Sequence, residues 1–172
     1  MNKKKLKYRV TYLEMNRKPS FHWPKNLKHK LSILFAESFP AWYFLFFYKQ
    51  VGKNYYWTDW LRKSDEEIDE FVNNKNVLLY TLIKDGWPVG FYMLDYRKEN
   101  ICDLSFFGLV EEVIGIGLGK YLLQTAILTA WDSRKIEKLT VNTCSLDHKS
   151  AIYLYQKYGF APVKYKDLEK TV

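Results

Sequence analysis

A glycine-rich turn between a strand and a helix restricts this chain more than any other feature. Residues 109–120 read LVEEVIGIGLGK, so that an apolar strand ends and Gly115, Gly117 and Gly119 precede a helical stretch. Glycines let a ligand approach the backbone closely, and the N-terminus of a helix carries about half a positive charge. Together these properties predict a cradle of backbone N–H groups that binds a pyrophosphate.

Two common phosphate-binding patterns do not fit this turn. The Walker A pattern GxxxxGK[ST] requires glycine where Ile114 stands and serine or threonine where Tyr121 stands. The dinucleotide-binding pattern GxGxxG differs from the observed GxGxG spacing, and the preceding strand is not the first of a βαβ unit. A purely structural turn therefore stays open as an alternative for the glycines taken alone.

Hydrophobic periodicity around the turn predicts an α/β fold. Alternating apolar residues or short apolar runs predict strands, and apolar spacings of three and four predict helices. Ser64 and Glu67 form a capping-box pattern, and Asp85-Gly86 suits a type I′ hairpin turn. Asp147 suits the N-cap of the last helix. Predicted strands cover 3–14, 31–36, 77–84, 89–96, 101–110, 136–143 and 160–165, and predicted helices cover 40–52, 64–72, 117–131 and 147–158.

A second motif lies in the last predicted helix. Residues 151–160 read AIYLYQKYGF and match the motif AxxLYxKxGF of the general-control-related N-acetyltransferase (GNAT) superfamily at every defined position. The glycine turn resembles that family's motif [QR]xxGx[GA] at Gly117 and Gly119, and departs from it at Ile114. The element order is also similar to the family's, and the resemblance is strongest from residue 101 onward.

The resemblance implies a GNAT fold, in which a mixed, mostly antiparallel sheet is splayed between two parallel strands and flanked by helices. It implies acetyl-CoA as the donor, with the pyrophosphate on the backbone amides of residues 115–120, and no metal. Ile114 in place of Gln or Arg removes one side-chain contact but leaves the backbone cradle. The residues expected to contact acetyl-CoA are Leu109, Val110, Gly115, Ile116, Gly117, Leu118, Gly119, Lys120, Asn142, His148 and Tyr155.

Two residues are candidates for the acid–base chemistry that acetyl transfer to an amine requires. An alkyl amine with a pKa of about 10.4 is almost wholly protonated at neutral pH, so a base is useful. Asp103 is the candidate base because it aligns with the glutamate of the family's histone-acetylating branch, and its shorter side chain would act through water. Tyr155, the tyrosine of the second motif, is the candidate acid. A solvated edge carboxylate and a buried core tyrosine are the structural alternatives.

The acceptor side is predicted from a group of aromatic residues in and after the first helix. An aromatic cage suits a cationic amine, and a neighbouring acid could fix the charge of that amine. A large aromatic cluster at helical spacing is more often a packed core, and both interpretations stay open. The candidate acceptor-binding residues are Trp42, Tyr43, Trp57, Asp59 and Trp60.

The net charge of +8 does not by itself indicate a nucleic-acid binder. Residues 1–30 hold ten basic residues and one acid, Glu14, so the rest of the chain is nearly neutral. A dedicated nucleic-acid binder is typically basic over a whole face. We therefore expect no nucleic-acid partner, and the plain interpretation of the basic N-terminal segment is a solubilising tail.

The sequence predicts one cytoplasmic domain over residues 1–172. The longest apolar run, residues 41–48, is far shorter than the roughly 20 residues that span a bilayer, and no apolar stretch of a secretory signal follows the basic start. Cys102 and Cys144 have no CxxC or metal-ligand spacing, so reduced thiols are expected. No membrane partner is expected, and dimers are common in the family, which makes a homodimer the assembly to test.

These observations predict an N-acetyltransferase that moves the acetyl group from acetyl-CoA directly to a primary amine of a small molecule or peptide. The alternative is a CoA-binding module of the same fold with a regulatory or sensor role and little catalysis. Ile114 and the short side chain of Asp103 favour that alternative, whereas Tyr155 and the intact glycines favour the enzyme.

Overall fold

The computed structural model describes residues 5–25 and 29–171, which form one seven-stranded sheet with helices packed on both faces. The strands are β1 (Lys5–Met15), β2 (Leu31–Ala36), β3 (Val77–Lys84), β4 (Trp87–Asp95), β5 (Ile101–Leu109), β6 (Lys138–Cys144) and β7 (Ala161–Thr171). The helices are α1 (Ala41–Gly52), α2 (Asp65–Val72), α3 (Leu118–Ser133) and α4 (Ala151–Lys157), and Trp60–Arg62 and Glu111–Val113 form short 3₁₀ turns. The strand order is β2-β3-β4-β5-β6-β1-β7, and only β5 and β6 run parallel. The predicted mixed, mostly antiparallel sheet is confirmed.

Local signals in the sequence correctly located two of the chain reversals. The Ser64 hydroxyl accepts the Glu67 N–H at 3.2 Å, and the Glu67 carboxylate accepts the Ser64 N–H at 3.1 Å, so the capping box forms at the start of α2. In the hairpin between β3 and β4, Asp85 has φ 51° and Gly86 has φ 91°. Both angles are positive, as a type I′ turn requires.

The last strand differs most from its predicted bounds, and the first strand is described only from Lys5 onward. Residues 3 and 4 of the predicted first strand lie outside the described part of the chain. The last strand was predicted to end at residue 165, but it continues to Thr171 because β1 pairs with it along its whole length, as far as Lys5 opposite Thr171. A strand that gains a partner for each residue extends beyond the short apolar run that marks it in the sequence.

Two apolar clusters pack on the two faces of the sheet. On one face, α3 and α4 cover a cluster that includes the fully buried Leu123, Ile127 and Leu139. On the other face, α1 and α2 cover an aromatic cluster around Phe44 and Phe47, both fully buried. Burial of this apolar area is the main source of stability, at about 25 cal/mol for each Å² removed from water.

Within the basic N-terminal segment, residues 5–15 form a strand of the sheet, as their alternation predicted, and so are not a solubilising tail. The strand β1 lies between β6 and β7 and is antiparallel to both. Its exposed basic side chains face the acids of β7, with Lys5 and Lys7 near Glu169 at 3.9 and 3.7 Å. Arg9 donates to Asp167 at 2.7 Å. Such exposed ion pairs contribute little each, about 0–1 kcal/mol, but they hold much of the charge excess within the fold.

A close approach of α1 to β5 depends on Gly108. A β-carbon at this position would lie 2.3 Å from Val51 Cγ1, and Val51 is buried in the last turn of α1. We expect Gly108→Ala to lower the free energy of unfolding by about 1–3 kcal/mol, the usual cost of overpacking, measured by chemical denaturation. In a Val51→Ala background the same substitution should cost less than half as much, because the clashing methyl is gone. An equal loss in both backgrounds would contradict this explanation.

Candidate active site

A cleft opens in the sheet where β5 and β6 separate. Their parallel pairing covers three residue pairs and ends at Asp103 opposite Thr140. Beyond that point β6 pairs only with β1, and a bulge leaves Ser105 of β5 without a partner on β4. Bulges bend strands and are frequent beside active sites. The cleft has a volume of about 440 Å³ and lies between the end of β5, the glycine turn and the start of α4.

The glycine turn closes one end of the cleft. Gly115 and Gly117 both have φ 90°, and no protein atom lies within 4 Å of the position of a β-carbon on either one. Gly117 is the N-cap of α3, and no side chain caps this helix end. The first N–H groups of a helix have no partner within the helix, so those of α3 are available to an anion.

The residues predicted to contact acetyl-CoA divide into two groups. Val110 and Leu118 are buried in the core, 4% and 2% exposed, and the side chains of Ile116 and Lys120 are outside the cleft lining. Val110 and Leu118 therefore offer only their backbone to a ligand, whereas Ile116 and Lys120 are exposed beside the glycine turn. The members that line the cleft are Leu109, Gly115, Gly117, Gly119, Asn142, His148 and Tyr155. The side chain of Ile114, at the family's Gln or Arg position, lines it too.

The candidate acid Tyr155 lines the cleft from α4. Its ring is 5% exposed and contacts the rings of Phe107 and Phe160, at centroid distances of 6.0 and 5.8 Å. Among the described residues, the buried side-chain polar atoms without a partner are Thr58 Oγ1 and Trp131 Nε1. The Tyr155 hydroxyl, which forms no hydrogen bond with the described residues, therefore opens on the cleft. Burial raises the pKa of Tyr155, and the nearby charges of Asp147 and Asp103 raise it further.

The candidate base Asp103 faces a second depression, on the sheet face that α1 and α2 cover. Its carboxylate accepts hydrogen bonds from the hydroxyls of Thr140 at 2.6 Å and Ser105 at 2.7 Å. This groove has a volume of about 540 Å³, and Asn142 lines both the groove and the cleft. The two sites therefore meet at the point where β5 and β6 separate.

Three carboxylates lie in one row across the groove. Register pairs place Asp95 beside Asp103, Asp103 beside Thr140, and Thr140 beside Glu14 on four neighbouring strands. Arg97 binds Asp95, and Lys138 binds Glu14 at 2.7 Å. Asp103 forms no ion pair with any residue that the structure describes. It is therefore the carboxylate of this row that has no cationic side chain in contact with it.

Asp147, which was predicted to cap α4, has a different role that the sequence did not indicate. The helix α4 begins after an N-cap at Ser150, without any side-chain cap, so the prediction of Asp147 as the cap is wrong. Its carboxylate instead accepts hydrogen bonds from Thr143 Oγ1 and the Cys144 N–H, both at 2.8 Å, and from Trp57 Nε1 at 3.0 Å. These three donors fix Asp147 in the lining of the cleft.

The five predicted acceptor-binding residues are not brought together. Trp57 lines the cleft, and so does Tyr55 of the same aromatic group. Trp42 is 66% exposed on α1, and the Tyr43 hydroxyl is hydrogen-bonded to Thr81 Oγ1 at 2.9 Å. Trp60 packs against Phe44, Phe71 and Phe106 in the aromatic cluster, and Asp59 forms an ion pair with Lys170 at 2.9 Å. The aromatic residues here are therefore mostly core, and Trp57 is the one predicted member that borders the cleft.

The remaining polar candidates have structural partners. His148 Nδ1 accepts the Ser150 N–H at 3.2 Å while its ring meets Tyr55 edge-on. Burial raises the pKa values of Cys102 and Cys144, so neither is a reactive thiolate at neutral pH. Within residues 5–25 and 29–171, no three His, Cys, Asp or Glu side chains are grouped in a way that could hold a metal ion. None of the helices in the same residues combines the length and hydropathy needed to cross a bilayer.

The residues of the cleft fit the donor that the sequence implies. The open positions at Gly115 and Gly117 leave the amides of the turn accessible to a pyrophosphate, and an apolar channel lined by Leu104, Phe106 and Leu109 leads from there to Tyr155. A long ligand with an anionic middle and a mostly apolar arm would fit here, with its anion at the glycine turn and its arm along the apolar lining. The fold is thus a mixed α/β sheet with a cleft between two parting strands, closed at one end by a glycine turn.

Comparison with known proteins gives the family. Residues 35–160, most of the chain, match the sequence model of the acetyltransferase (GNAT) family, and the chain belongs to that family. No curated protein matches it.

Solved structures with the same fold have low sequence identity to this chain. A GCN5-related N-acetyltransferase from Kribbella flavida has 14% identity and a TM-score of 0.64; the match covers 95% of this chain and 57% of that protein, so this chain spans little more than half its length. A GNAT family acetyltransferase from Elizabethkingia anophelis with acetyl-CoA bound has 22% identity and a TM-score of 0.57, with 80% of each chain covered. An IAA acetyltransferase from Bacillus cereus has 19% identity and a TM-score of 0.57, with 83% of this chain and all of that one covered. At such identities the likeness establishes the fold.

Proposed function

We propose that this protein is an N-acetyltransferase that moves the acetyl group of acetyl-CoA directly to a primary amine of a small molecule or peptide. The observation that carries the proposal is the junction at Asn142. There, a cleft with a glycine cradle at one end and Tyr155 in its wall meets a groove that contains Asp103. A donor in the cleft and an acceptor in the groove would approach each other through the gap between β5 and β6.

The residues of the cleft would bind the donor and complete the departure of its thiol. The free amides of the first turn of α3 would hold the pyrophosphate, as the positive end of the helix favours. Bound acetyl-CoA supplies the acetyl group as a thioester. As the amine nitrogen bonds to the carbonyl carbon and the C–S bond breaks, the Tyr155 hydroxyl would give its proton to the departing sulfur, and the proton that the new amide nitrogen loses would restore the hydroxyl.

The groove supports an amine as the acceptor. A row of three carboxylates attracts a cation, and two of them already have basic partners in Arg97 and Lys138. The unpaired Asp103 would hold the incoming ammonium and take its proton through a bridging water, which leaves the neutral nitrogen that can attack. Thr140 and Ser105 donate to this carboxylate and so fix its orientation in the groove.

The proposal is tested by mixing the purified protein with acetyl-CoA and a panel of primary amines that includes diamines and lysine-containing peptides. We expect release of free thiol that depends on the amine, with the acetylated product identified by mass spectrometry. Thiol release without any amine is the hydrolysis control. Tight acetyl-CoA binding with no transfer to any amine of the panel would contradict the proposal and favour a CoA-binding module. The cytosol, where the two thiols would stay reduced, is the compartment that we propose for this reaction.

A further inference from the structure

A loop between α1 and the turn at Trp60 runs along the mouth of the cleft. We call residues 53–59 the roof loop. Its residues Tyr55 and Trp57 line the cleft opposite the glycine turn. The Trp57 ring lies against those of Tyr48 and Phe106, at centroid distances of 5.4 and 6.1 Å. The roof loop is therefore in contact with the space that the acyl donor would occupy.

The roof loop is tied to three separate parts of the protein. Lys53 forms an ion pair with Glu111, just before the glycine turn, at 3.1 Å. Lys170 of β7 donates to the Tyr56 carbonyl oxygen at 2.9 Å. Trp57 Nε1 donates to Asp147 Oδ1 at 3.0 Å, at the other wall of the cleft. A segment held at its start, middle and end keeps one position, although it contains neither helix nor strand.

The tie at Asp147 differs from the ion pair at Lys53. Both side chains of the Lys53–Glu111 pair are largely exposed, and water and salt screen such a pair. The Trp57–Asp147 bond is partly buried and has a charged acceptor, and hydrogen bonds of that kind are stronger than neutral ones. Thr143 and Cys144 have already fixed the carboxylate at the end of β6, so little side-chain freedom is lost when Trp57 binds.

The backbone of the roof loop needs this support. Tyr56 has φ 57°, an unfavourable angle for a bulky side chain, and strained residues persist where their surroundings hold them. Gly52 leaves room for this loop, because a β-carbon there would lie 2.3 Å from Trp57 Cβ. A loop that is strained at one residue and packed without spare room at another should open when a tie is removed.

We infer that Asp147 is a positioning residue, which holds the roof loop over the donor cleft through the Trp57 indole. This inference rests on the proposed function in that it takes the cleft as the acetyl-CoA site. With the bond in place, the roof loop is already ordered, so acetyl-CoA binding loses no free energy to ordering it. Without the bond, acetyl-CoA must order the loop itself, so its affinity falls while the reacting groups on α4 and β5 stay in place.

Trp57→Phe is the sharpest test, because it removes the indole N–H and keeps an aromatic ring against Tyr48 and Phe106. We expect amide hydrogen exchange in the roof loop to become about tenfold faster, while exchange in α3 and β4 stays unchanged, as for a local opening. The Kd of acetyl-CoA measured by calorimetry should rise about five- to tenfold, since ordering costs reduce affinity. Asp147→Asn should have a similar effect, and the double variant should lose little more than the larger single loss, as expected for two partners of one bond.

Trp87→Phe is the matched control. Trp87 is 42% exposed at the β3–β4 hairpin and is not part of the cleft lining, and its indole N–H has no hydrogen-bond partner among the described residues. It should leave roof-loop exchange and acetyl-CoA affinity unchanged. Unchanged roof-loop exchange in Trp57→Phe, or faster exchange throughout the chain, would overturn the inference. Neither hydrogen exchange nor calorimetry requires turnover. A protein that binds acetyl-CoA but acetylates no amine would therefore refute the proposed function and leave this test intact. If the native protein did not bind acetyl-CoA, the proposed function and this inference would both fail.

Discussion

Tyr155→Phe should lower kcat by about a hundredfold, at the lower end of the range for loss of a general acid, and leave the Kd of acetyl-CoA nearly unchanged. The substitution removes only the hydroxyl that opens on the cleft, and the ring keeps its contacts with Phe107 and Phe160. Burial and the charges of Asp147 and Asp103 raise the pKa of Tyr155, so its hydroxyl stays protonated at neutral and mildly alkaline pH. A raised pKa also makes the hydroxyl a more reluctant donor, which is why we place the loss in the lower part of that range.

The control for this prediction lies one turn away on the same helix face. Tyr158 is buried, and its ring meets Phe21 edge-on at 5.6 Å, but it does not line the cleft. Tyr158→Phe removes an equivalent hydroxyl and should leave kcat within about twofold of the native value, as for a substitution away from the reacting groups. Single-turnover measurements at saturating acetyl-CoA would separate chemistry from binding. An unchanged rate in Tyr155→Phe would remove Tyr155 from the mechanism.

Local sequence signals located the elements of this fold but not the arrangement of its ends. The hairpin at Asp85-Gly86 and the capping box at Ser64 are formed by residues a few positions apart, so the sequence contains all that determines them. The position of β1 depends on pairing with strands more than 120 residues away. The alternation of residues 5–15 indicates a strand with one buried face, and alternation does not specify which strands flank it.

The candidate site was predictable in its glycine turn and in its motif tyrosine, and much less so elsewhere. The helical spacing of the α1 aromatics is the same whether a ring faces the core or a ligand, and most of these rings proved to be core. Asp147 stands just before a helix, where a cap is the usual role of an acid. Its partner Trp57 is 90 residues earlier, and a contact at that separation leaves no periodicity or spacing in the sequence.

The second large effect is expected at the glycine turn, where Gly117→Val should raise the Kd of acetyl-CoA by about thirtyfold or more, because it disturbs the helix N-terminus that binds the anion. Gly117 has φ 90°, a conformation that costs a β-branched residue about 1–3 kcal/mol. The protein itself leaves open space at this position, so the added side chain would stand where the ligand approaches the amides.

Two control variants separate loss of the ligand site from loss of the fold. Gly86 has φ 91° and equally open surroundings, but lies in the β3–β4 hairpin, so Gly86→Val should lower the melting temperature without changing the Kd of acetyl-CoA. Gly119 is helical, and a β-carbon there would make ordinary contacts of 3.8 and 3.9 Å with Leu109 and Leu154. Gly119→Ala should therefore fold stably, since alanine is favoured over glycine inside a helix, and because Gly119 lines the cleft only through its backbone, the added methyl should weaken binding far less than Gly117→Val does. If Gly117→Val remained folded and bound acetyl-CoA as tightly as Gly119→Ala does, the glycine turn would not be the pyrophosphate site.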